Sequence, residues 1–505
     1  MKFRNPQVDP ESLVSEFGIF SRLIKSRNFA ANSLLNLSKP NPESLRIYNK
    51  HNGKFVRARI VVGLIKVFPI MLIALMREVI RWTIFASYER NYWNKLELKK
   101  FENIFISHYT HGVPGRQPDP FFGEILSSND VNSSAVVLLN HTRQSTKLVT
   151  DKLSAETRDS YFVVPKTLHF NDLLSTFKVQ LKDSLTLLKF SCSPREFNNK
   201  QRLLLVDAVA HQFSRETFSI FVIVQYLKHL LSFGAFKRVV ITFEGHAFEG
   251  CITGMINNDF PNTKIALYQH APVVPMQFGM FKALANFSEN QTVLTSGSAI
   301  RDYLILRSGL ELSNIKEIGT PKRRPVTLLE DLNVNQTIRE KSVLIAPEGT
   351  PAANKEMIEL VKNLSLTLPD FTFVFRPHPV TKISRRTISS LSSPEFANIV
   401  ISNLNLDQDF LRTKYCIYRS SSVCIEGLAY GLVPLYFSRH FRAGLDPLAV
   451  TKLKHEEFMD TRELSIYLRN QALNLSMSSN PSHQDMARAY QAYYGTLNLD
   501  MLSTL

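Results

Sequence analysis

A serine cluster separates an apolar run from a helical pattern at 418–431, which reads YRSSSVCIEGLAYG. The hydroxyls of Ser420, Ser421 and Ser422 stand beside a helix start, where free backbone N–H groups and the positive dipole end attract an anion. This combination predicts a phosphate site that needs no lysine. Glu426, one turn further, is predicted to hold a ribose hydroxyl. The alternative is a serine that only caps an ordinary helix.

A second motif, FRPHPV at 375–380, also follows an apolar run. The side chains of Arg376 and His378 can both donate hydrogen bonds to a phosphate or diphosphate leaving group. Pro377 and Pro379 restrict the backbone on both sides of the histidine, which favours a preorganised site over a simple turn. We therefore place Arg376, His378 and Pro379 in the same predicted phosphate site as the serines.

Candidate bases cluster in TFEGHAFEG (242–250) and YQHAP (268–272), which again follow apolar runs. Group transfer to a hydroxyl needs a base near that hydroxyl and charge stabilisation at the leaving phosphate. Glu244 is the first candidate for the base, with His246, Glu249 and His270 as alternatives. His246 and Glu249 could instead be the cap and the first-turn acid of a helix.

Metal sites are weakly indicated. Asp407 and Asp409 form a DxD pattern, but they stand where a helix should begin, so a capping role is favoured. His108 and His111 could line an acceptor site, and without further ligands they are weak support for a metal. The cysteines form no CxxC pair, which argues against a zinc site and against a disulfide framework. We expect no metal and no cofactor.

All these motifs need a scaffold that brings the ends of apolar runs together. Runs typical of buried parallel strands alternate with helical patterns from 103 to 297, and the alternation restarts at 342. Between them, IGTPKRRP at 318–325 indicates a hinge. The pattern predicts an α/β fold of two Rossmann-like, doubly wound domains facing a central cleft, with ligands bound outside the carboxyl ends of the strands.

The predicted organisation has four parts. Residues 1–100 form an extension with an amphipathic, membrane-associating helix, and residues 101–320 form an acceptor domain. Residues 325–470 form a donor domain. The C-terminal helices of 471–505 are expected to pack back on the first domain.

The segment 58–86, ARIVVGLIKVFPIMLIALMREVIRWTIFA, is apolar but interrupted by charges, so it is a poor membrane-spanning helix. At roughly 100° per residue, its basic side chains fall within an arc of about 60°. A narrow basic stripe on an apolar helix is typical of a helix lying in an anionic membrane surface. The alternative is a buried helix with one wet edge. The stripe consists of Arg59, Lys66, Arg77 and Arg81.

The charge balance supports an anionic partner. The net charge is +16 over 505 residues, which favours nucleic acid, an anionic membrane or a phosphorylated substrate. No nucleic-acid-binding module is recognisable, so we exclude nucleic acid. The polar start, Met1 to Asp9, lacks the apolar run of a signal peptide. We therefore expect a cytoplasmic protein that is peripheral on the inner face of the cell membrane.

The HP motif, followed some forty residues later by a strand, a serine cluster and EGLAYG, resembles the donor-binding half of GT-B glycosyltransferases. Bacterial sialyltransferases, Kdo transferases and the polymerases that use CDP-glycerol share these elements. The resemblance implies that His378 and Ser420 to Ser422 hold the phosphate of a cytidine nucleotide. It also implies that the APEGTP loop (346–351), with Gly349 and Thr350, lies near the nucleotide.

The motifs at 242–250 and 268–272 resemble those of uncharacterised surface-carbohydrate biosynthesis proteins. Where sialyltransferases carry two acids and a glycine, this chain has Phe243-Glu244-Gly245, with only the second acid. The resemblance implies a metal-independent glycosyltransferase that moves a sugar, expected to be a CMP-linked acidic sugar, to a lipid-linked or oligosaccharide acceptor. The product would be lipopolysaccharide, capsule or another surface glycan. The alternatives are a CDP-polyol phosphotransferase of the teichoic-acid type and a non-enzymatic sugar- or nucleotide-binding scaffold.

Overall fold

The computed structural model describes residues 31, 56–94, 101–109, 121, 122, 125, 134–140, 144–156, 161–234, 236–284, 287–326, 339–379, 381, 383–438, 444–473, 480–498 and 500–503. His111 and Val380, named above, lie outside these residues.

Within this part of the chain, the first domain is built on a seven-stranded, all-parallel sheet. Its strands are β1 (Asn103–Tyr109), β2 (Ser134–Asn140), β3 (Tyr161–Val163), β4 (Arg238–Thr242), β5 (Lys264–Tyr268), β6 (Gln291–Thr295) and β7 (Ile315–Glu317). They lie in the order β3-β2-β1-β4-β5-β6-β7. The order reverses between β1 and β4, which makes this the point where a ligand crevice opens at the carboxyl ends of the strands.

The strands are fully covered because they are apolar along almost their whole length. In SAVVLLN of β2, every residue is buried except the last. Helices supply the cover on both faces, as parallel sheets require. The helices up to this point are α1 (Val56–Asn94), α2 (Thr146–Glu156), α3 (Phe170–Ser191), α4 (Asn199–His211), α5 (Arg215–Phe233), α6 (Ala247–Asp259), α7 (Phe278–Leu284) and α8 (Ser298–Ser308).

The second domain repeats this topology with six described strands in the order β10-β9-β8-β11-β12-β13. The strands are β8 (Ser342–Ala346), β9 (Thr372–Phe375), β10 (Ile399–Ile401), β11 (Tyr415–Tyr418), β12 (Val433–Phe437) and β13 (Glu456–Phe458). The helices are α9 (Pro351–Thr367), α10 (Arg385–Leu391), α11 (Leu406–Leu411), α12 (Val423–Leu428), α13 (Thr461–Ala472), α14 (His483–Tyr493) and α15 (Asp500–Ser503). The order reverses between β8 and β11, so each domain has its own switch point.

The sheet topology confirms the predicted α/β fold with two Rossmann-like, doubly wound domains, which is the domain composition of the GT-B fold. Sequence reasoning missed the short edge strands β7 and β13 and the whole of α3. The sequence pattern also predicts one helical stretch over 201–233. The structure divides that stretch because Ser214 caps the start of α5 and accepts a hydrogen bond from the backbone N–H of Thr217.

The two domains meet along a continuous junction. The backbone N–H of Met276 in the first domain donates to the carbonyl of Gly444 in the second at 2.9 Å. Helix α14 contacts both α8 of the first domain and α12 of the second. Its Tyr493 hydroxyl accepts from the backbone N–H of Val273. Helix α14 in the C-terminal segment therefore packs against both domains at their junction.

Candidate active site

The candidate bases of the first domain converge at its switch point. Glu244 follows β4, His270 follows the adjacent β5, and His108 lies near the end of β1 on the other side of β4. The Nε2 atom of His108 is 3.3 Å from the Thr242 hydroxyl. The parallel register therefore brings three titratable side chains from three neighbouring strands to one edge of the sheet.

Glu244 lies between two histidines. Its Oε1 is 3.3 Å from His270 Nε2, and its Oε2 is 3.7 Å from His246 Nε2. His270 is almost fully buried, whereas the His246 side chain is 39% exposed. The Nδ1 atom of His270 is buried without a hydrogen-bond partner among the described residues. The buried imidazole of His270 can donate to one carboxylate oxygen of Glu244 and so orients that side chain. The other carboxylate oxygen then lies on the more solvent-exposed side of the site.

Glu249 does not face this site, because its carboxylate closes the turn before α6. It accepts hydrogen bonds from the backbone N–H groups of Glu244, Gly245 and His246, at 2.6–3.1 Å. Burial raises the pKa of Glu249 well above its usual range, against the opposing effect of these donors. Gly245 has φ +82°, and a Cβ there would collide with the backbone of Met280. This geometry matches the alternative in which Glu249 is a first-turn acid.

Aromatic rings form the walls around Glu244. The Phe121 ring lies 4.5 Å from the His270 ring and 5.4 Å from that of His108, measured between centroids. Phe248 stacks against His246 at 5.7 Å. Lys322, from the predicted hinge, lies over Phe121 and donates to the His270 carbonyl at 3.3 Å. Rings beside a carboxylate are suited to the apolar face and the hydroxyls of a sugar.

The phosphate-type motifs gather at the switch point of the second domain. The 346–351 loop follows β8, the serine cluster follows the adjacent β11, and the HP motif follows β9 on the other side of β8. His378 lies so close to Gly349 that a Cβ on the glycine would be 2.9 Å from the imidazole. The structure therefore brings together His378, Gly349 and the serines, which sequence reasoning assigned to one site.

Burial lowers the pKa of His378 below its ordinary value, although the nearby Glu348 acts in the opposite direction. Burial therefore favours the neutral imidazole, which can donate one N–H to a phosphate oxygen. Thr350 caps α9 by accepting from the Ala353 N–H, and its own hydroxyl donates to Glu348. Thr350 thus shapes the loop rather than offering a free donor.

A buried arginine joins the two loops that flank the switch point. The Arg419 side chain is 2% exposed and makes ion pairs of 2.9 Å with Glu348 and with Glu356 of α9. Its Nε atom and one Glu356 oxygen have no hydrogen-bond partner among the described residues. Sequence reasoning missed Arg419, although an arginine directly before the serines and an acid within APEGTP were visible signals.

Two residues predicted for the donor site, Arg376 for the phosphate and Glu426 for the ribose, are already engaged elsewhere. Arg376 donates to the buried Asp409 carboxylate at 2.5 Å and to the Leu404 carbonyl. Glu426 forms an ion pair of 3.2 Å with Arg324 of the hinge segment. These contacts give both residues a structural role. The DxD pattern also serves structure, since Asn405 caps α11 and Asp409 pairs with Arg376 and Arg412.

The serines differ in environment. Ser421 is buried and its hydroxyl accepts weakly from the Val423 N–H, at 3.4 Å. Ser420 and Ser422 are half-buried, and Ser422 begins α12 without a side-chain capping bond. Pro379 is exposed at the rim of the same loop set. The hydroxyls of Ser420 and Ser422 are therefore better placed than that of Ser421 to meet a ligand.

No protein-family model and no curated protein matches the chain. Among solved structures, the glycosyltransferase of kitacinnamycin is similar at 10% identity and TM-score 0.45, covering 80% of this chain and 98% of its own. A putative UDP-N-acetylglucosamine 2-epimerase from Listeria monocytogenes is similar at 11% identity and TM-score 0.44, over 80% and 94%. The wall teichoic acid polymerase TagF is similar at 12% identity and TM-score 0.40, over 86% and 96%. At these values the likenesses carry no functional argument.

Among the described residues, no group of three or more His, Cys, Asp or Glu side chains is arranged to hold a metal ion. Cys416 and Cys424 are buried in the second domain, as their apolar contexts predict.

Proposed function

We propose that this protein is a glycosyltransferase that moves a sugar from a nucleotide-activated donor to a hydroxyl of a surface-glycan acceptor. One observation carries the proposal. A carboxylate oriented by a buried histidine lies at the switch point of one Rossmann-like sheet, and a histidine–glycine–serine loop set lies at the switch point of a second sheet in the same chain.

The division of labour follows from the two sites. Glu244 accepts the proton of the acceptor hydroxyl while that oxygen forms a bond to the anomeric carbon of the donor. The bond from that carbon to the donor phosphate breaks, and the phosphate leaves with the electron pair. Donors around His378, Ser420 and Ser422 stabilise its charge. His270 holds Glu244 in position, so the proton transfer needs little reorganisation.

The finer assignment is a CMP-linked acidic sugar, supported by the resemblance of the HP and serine motifs to cytidine-nucleotide-binding elements. The proposed acceptor is a lipid-linked or oligosaccharide precursor of lipopolysaccharide, capsule or another surface glycan. We propose that the enzyme needs no cofactor and works in the cytoplasm on the inner face of the membrane.

Helix α1 supports the peripheral location. By length and composition, Ile60–Phe85 could also cross a membrane, and most of this segment is not buried in the protein. Large apolar side chains such as Ile65 and Phe68 are each 67% exposed. Arg77 and Arg81 turn to the buried Glu78, at 2.6 and 3.0 Å, whereas Lys66 is exposed beside the apolar face. That arrangement suits a helix lying in the interface.

The test is a thermal-shift panel of nucleotides followed by a donor screen. A ligand of the native state raises stability by mass action, so a pyrimidine nucleotide should raise Tm more than an adenine nucleotide does. CMP-, UDP-, GDP- and CDP-linked compounds then report the transferred group. Transfer from CDP-glycerol would replace the proposal with a polyol phosphotransferase. Absence of stabilisation by any pyrimidine nucleotide at millimolar concentration would refute the donor site.

A further inference from the structure

Helix α3 has a large apolar face that the rest of the protein leaves uncovered. The buried side of the helix packs through residues such as Leu173 and Leu187. On the opposite side, four large side chains recur at helical spacing and are 37–58% exposed. At roughly 100° per residue they fall within an arc of about 60°. They are Phe170, Leu174, Leu181 and Leu185.

Lysines border this apolar arc on one side. Lys178, Lys182 and Lys189 are all exposed and occupy the next arc of about 40°. The whole of Phe170–Ser191 is described, and neither of its acids lies on the exposed face: Asp172 is half-buried in the first turn and Asp183 is buried. An apolar strip flanked by cations alone fits a partner that is apolar inside and anionic at its surface.

A second apolar strip lies on the neighbouring helix α1. The rings of Trp82 and Phe170 are 5.2 Å apart, and α4 packs against both helices. On α1, further large side chains are 44–67% exposed at helical spacing. These are Val61, Val62, Ile65, Phe68, Leu72, Ile73, Met76, Ile80 and Ile84. We call the two strips together, with the three lysines, the α1–α3 face.

We propose that the α1–α3 face is one docking surface for an anionic lipid bilayer, in which the lysines of α3 supply the headgroup contacts. The apolar side chains would enter the acyl boundary while Lys178, Lys182 and Lys189 meet the headgroup phosphates. A second copy of this chain fits less well, because a symmetric contact would place the same lysines against one another. This inference rests on the proposed peripheral location and deepens it.

The α1–α3 face connects physically to the candidate base. Leu187 and Leu188 of α3 belong to one buried apolar cluster with Val274 and Met276, from the loop that follows His270. In that loop, the Gln277 amide donates to the Glu244 carbonyl at 2.8 Å. Helix α3 therefore packs directly against the loop that holds the Glu244 backbone, so the proposed bilayer surface and the candidate base share one connected part of the first domain.

Vesicle flotation of the full chain tests the charge requirement. The variant Lys178→Gln/Lys182→Gln/Lys189→Gln should bind vesicles of phosphatidylglycerol and phosphatidylcholine about 100-fold more weakly, because each lysine near an anionic surface contributes about fivefold. The loss should shrink at high salt. The matched control is Lys355→Gln/Lys452→Gln/Lys454→Gln, which removes the same charge from exposed positions of the second domain and should bind like the parent.

A tryptophan probe tests the apolar strip. Leu181→Trp should gain a fluorescence component that brominated lipids quench, since position 181 would lie in the acyl boundary. Leu366→Trp is the control, because Leu366 is 54% exposed on the second domain. Subtracting the parent spectrum removes the native tryptophans.

Loss of vesicle binding in the α3 triple variant, with Leu181→Trp quenched and both controls unaffected, supports the proposal. Parental vesicle binding by the α3 triple variant overturns it. Pyrimidine-nucleotide thermal shifts on the same variants test the donor site separately. An unchanged nucleotide shift in a variant that still floats refutes the membrane role of α3 and leaves the glycosyltransferase proposal intact.

Discussion

Glu244 and His270 are held 3.3 Å apart, carboxylate oxygen to Nε2, at the ends of adjacent strands. The backbone of Glu244 is fixed from both sides, since its N–H donates to Glu249 and its carbonyl accepts from Gln277. A base fixed in this way avoids the entropy loss that a mobile side chain would incur on reaching the reactive geometry.

Replacing Glu244 by glutamine should abolish proton transfer while keeping the size of the side chain. We expect Glu244→Gln to lower kcat about 10²–10⁴-fold, the usual contribution of a general base. Nucleotide thermal shifts should stay at the parental value, because the donor site lies in the other domain. His246→Gln tests the alternative base. It is 3.7 Å from Glu244 and more exposed, so its effect should be much smaller. Near-parental transfer by Glu244→Gln would move the base elsewhere.

His378 should act on donor binding and turnover together. His378→Ala removes the N–H donor, so both the nucleotide thermal shift and kcat/KM should fall. Gly349→Ala keeps His378, but the added Cβ would displace its imidazole. We therefore expect this variant to show the same defect in nucleotide binding. His211→Ala, at a surface site paired with Glu216, serves as the control. Full nucleotide binding by both His378→Ala and Gly349→Ala would remove the histidine from the donor site.

The sequence predicted these two sites because both depend on strand ends. Apolar runs that stop at polar residues mark the carboxyl edge of a parallel sheet, and that rule placed Glu244, His270, His378 and the serines. The partners of these residues escaped prediction because they come from distant segments. Arg419 and Glu356 form an ion pair although 63 positions separate them in the sequence, and nothing in their spacing indicates that contact.

Glu249 should be a stability residue. Glu249→Ala removes the acceptor of three backbone N–H groups near a buried turn, and we expect a loss of about 3 kcal/mol in the free energy of unfolding. Glu249→Gln keeps one acceptor oxygen and should lose less. Urea denaturation of the nucleotide-free protein measures both. Equal stability of Glu249→Ala and the parent would contradict the structural role and return Glu249 to the list of candidate bases.

Arg376 should stabilise the second domain even without a ligand. Its partner Asp409 is fully buried and retains Arg412 when Arg376 is removed. We therefore expect Arg376→Ala to cost about 2 kcal/mol, the value of one hydrogen bond to a buried charge. Arg386→Ala, at an exposed position of α10, is the control. If Arg376 served only the donor phosphate, Arg376→Ala would lower the affinity for nucleotide and leave the stability of the nucleotide-free protein unchanged.

Helix α3 also escaped prediction from the sequence. Its apolar residues point both inward and outward, so the segment lacks the one-sided pattern that identifies an ordinary surface helix. Apolar side chains on the outer side of a helix can be explained only when another molecule covers them. The prediction of a basic stripe on α1 was also incomplete, because the sequence could not show that the side chains of Arg77 and Arg81 turn to Glu78.

The pair of His455 and Asp446 should make stability depend on pH in a defined direction. Burial of His455 favours the neutral imidazole, but the 2.6 Å hydrogen bond to Asp446, the charge of Asp446, the Leu453 carbonyl and Glu457 together outweigh it and raise the pKa of His455. Asp446 is itself buried and accepts from Tyr418, so the charged pair is shielded from solvent. Since the folded pKa lies above the unfolded value of about 6.5, the protonated pair stabilises the protein fully below that pH.

This contribution should disappear as pH rises through the folded pKa of His455. We expect the Tm difference between the parent and His455→Gln to be largest near pH 5.5 and to shrink steadily toward pH 9. Asp446→Asn should show the same trend, because either change removes the charge pair. A parent-to-His455→Gln difference that grows with pH would mean that the imidazole is buried in its neutral form.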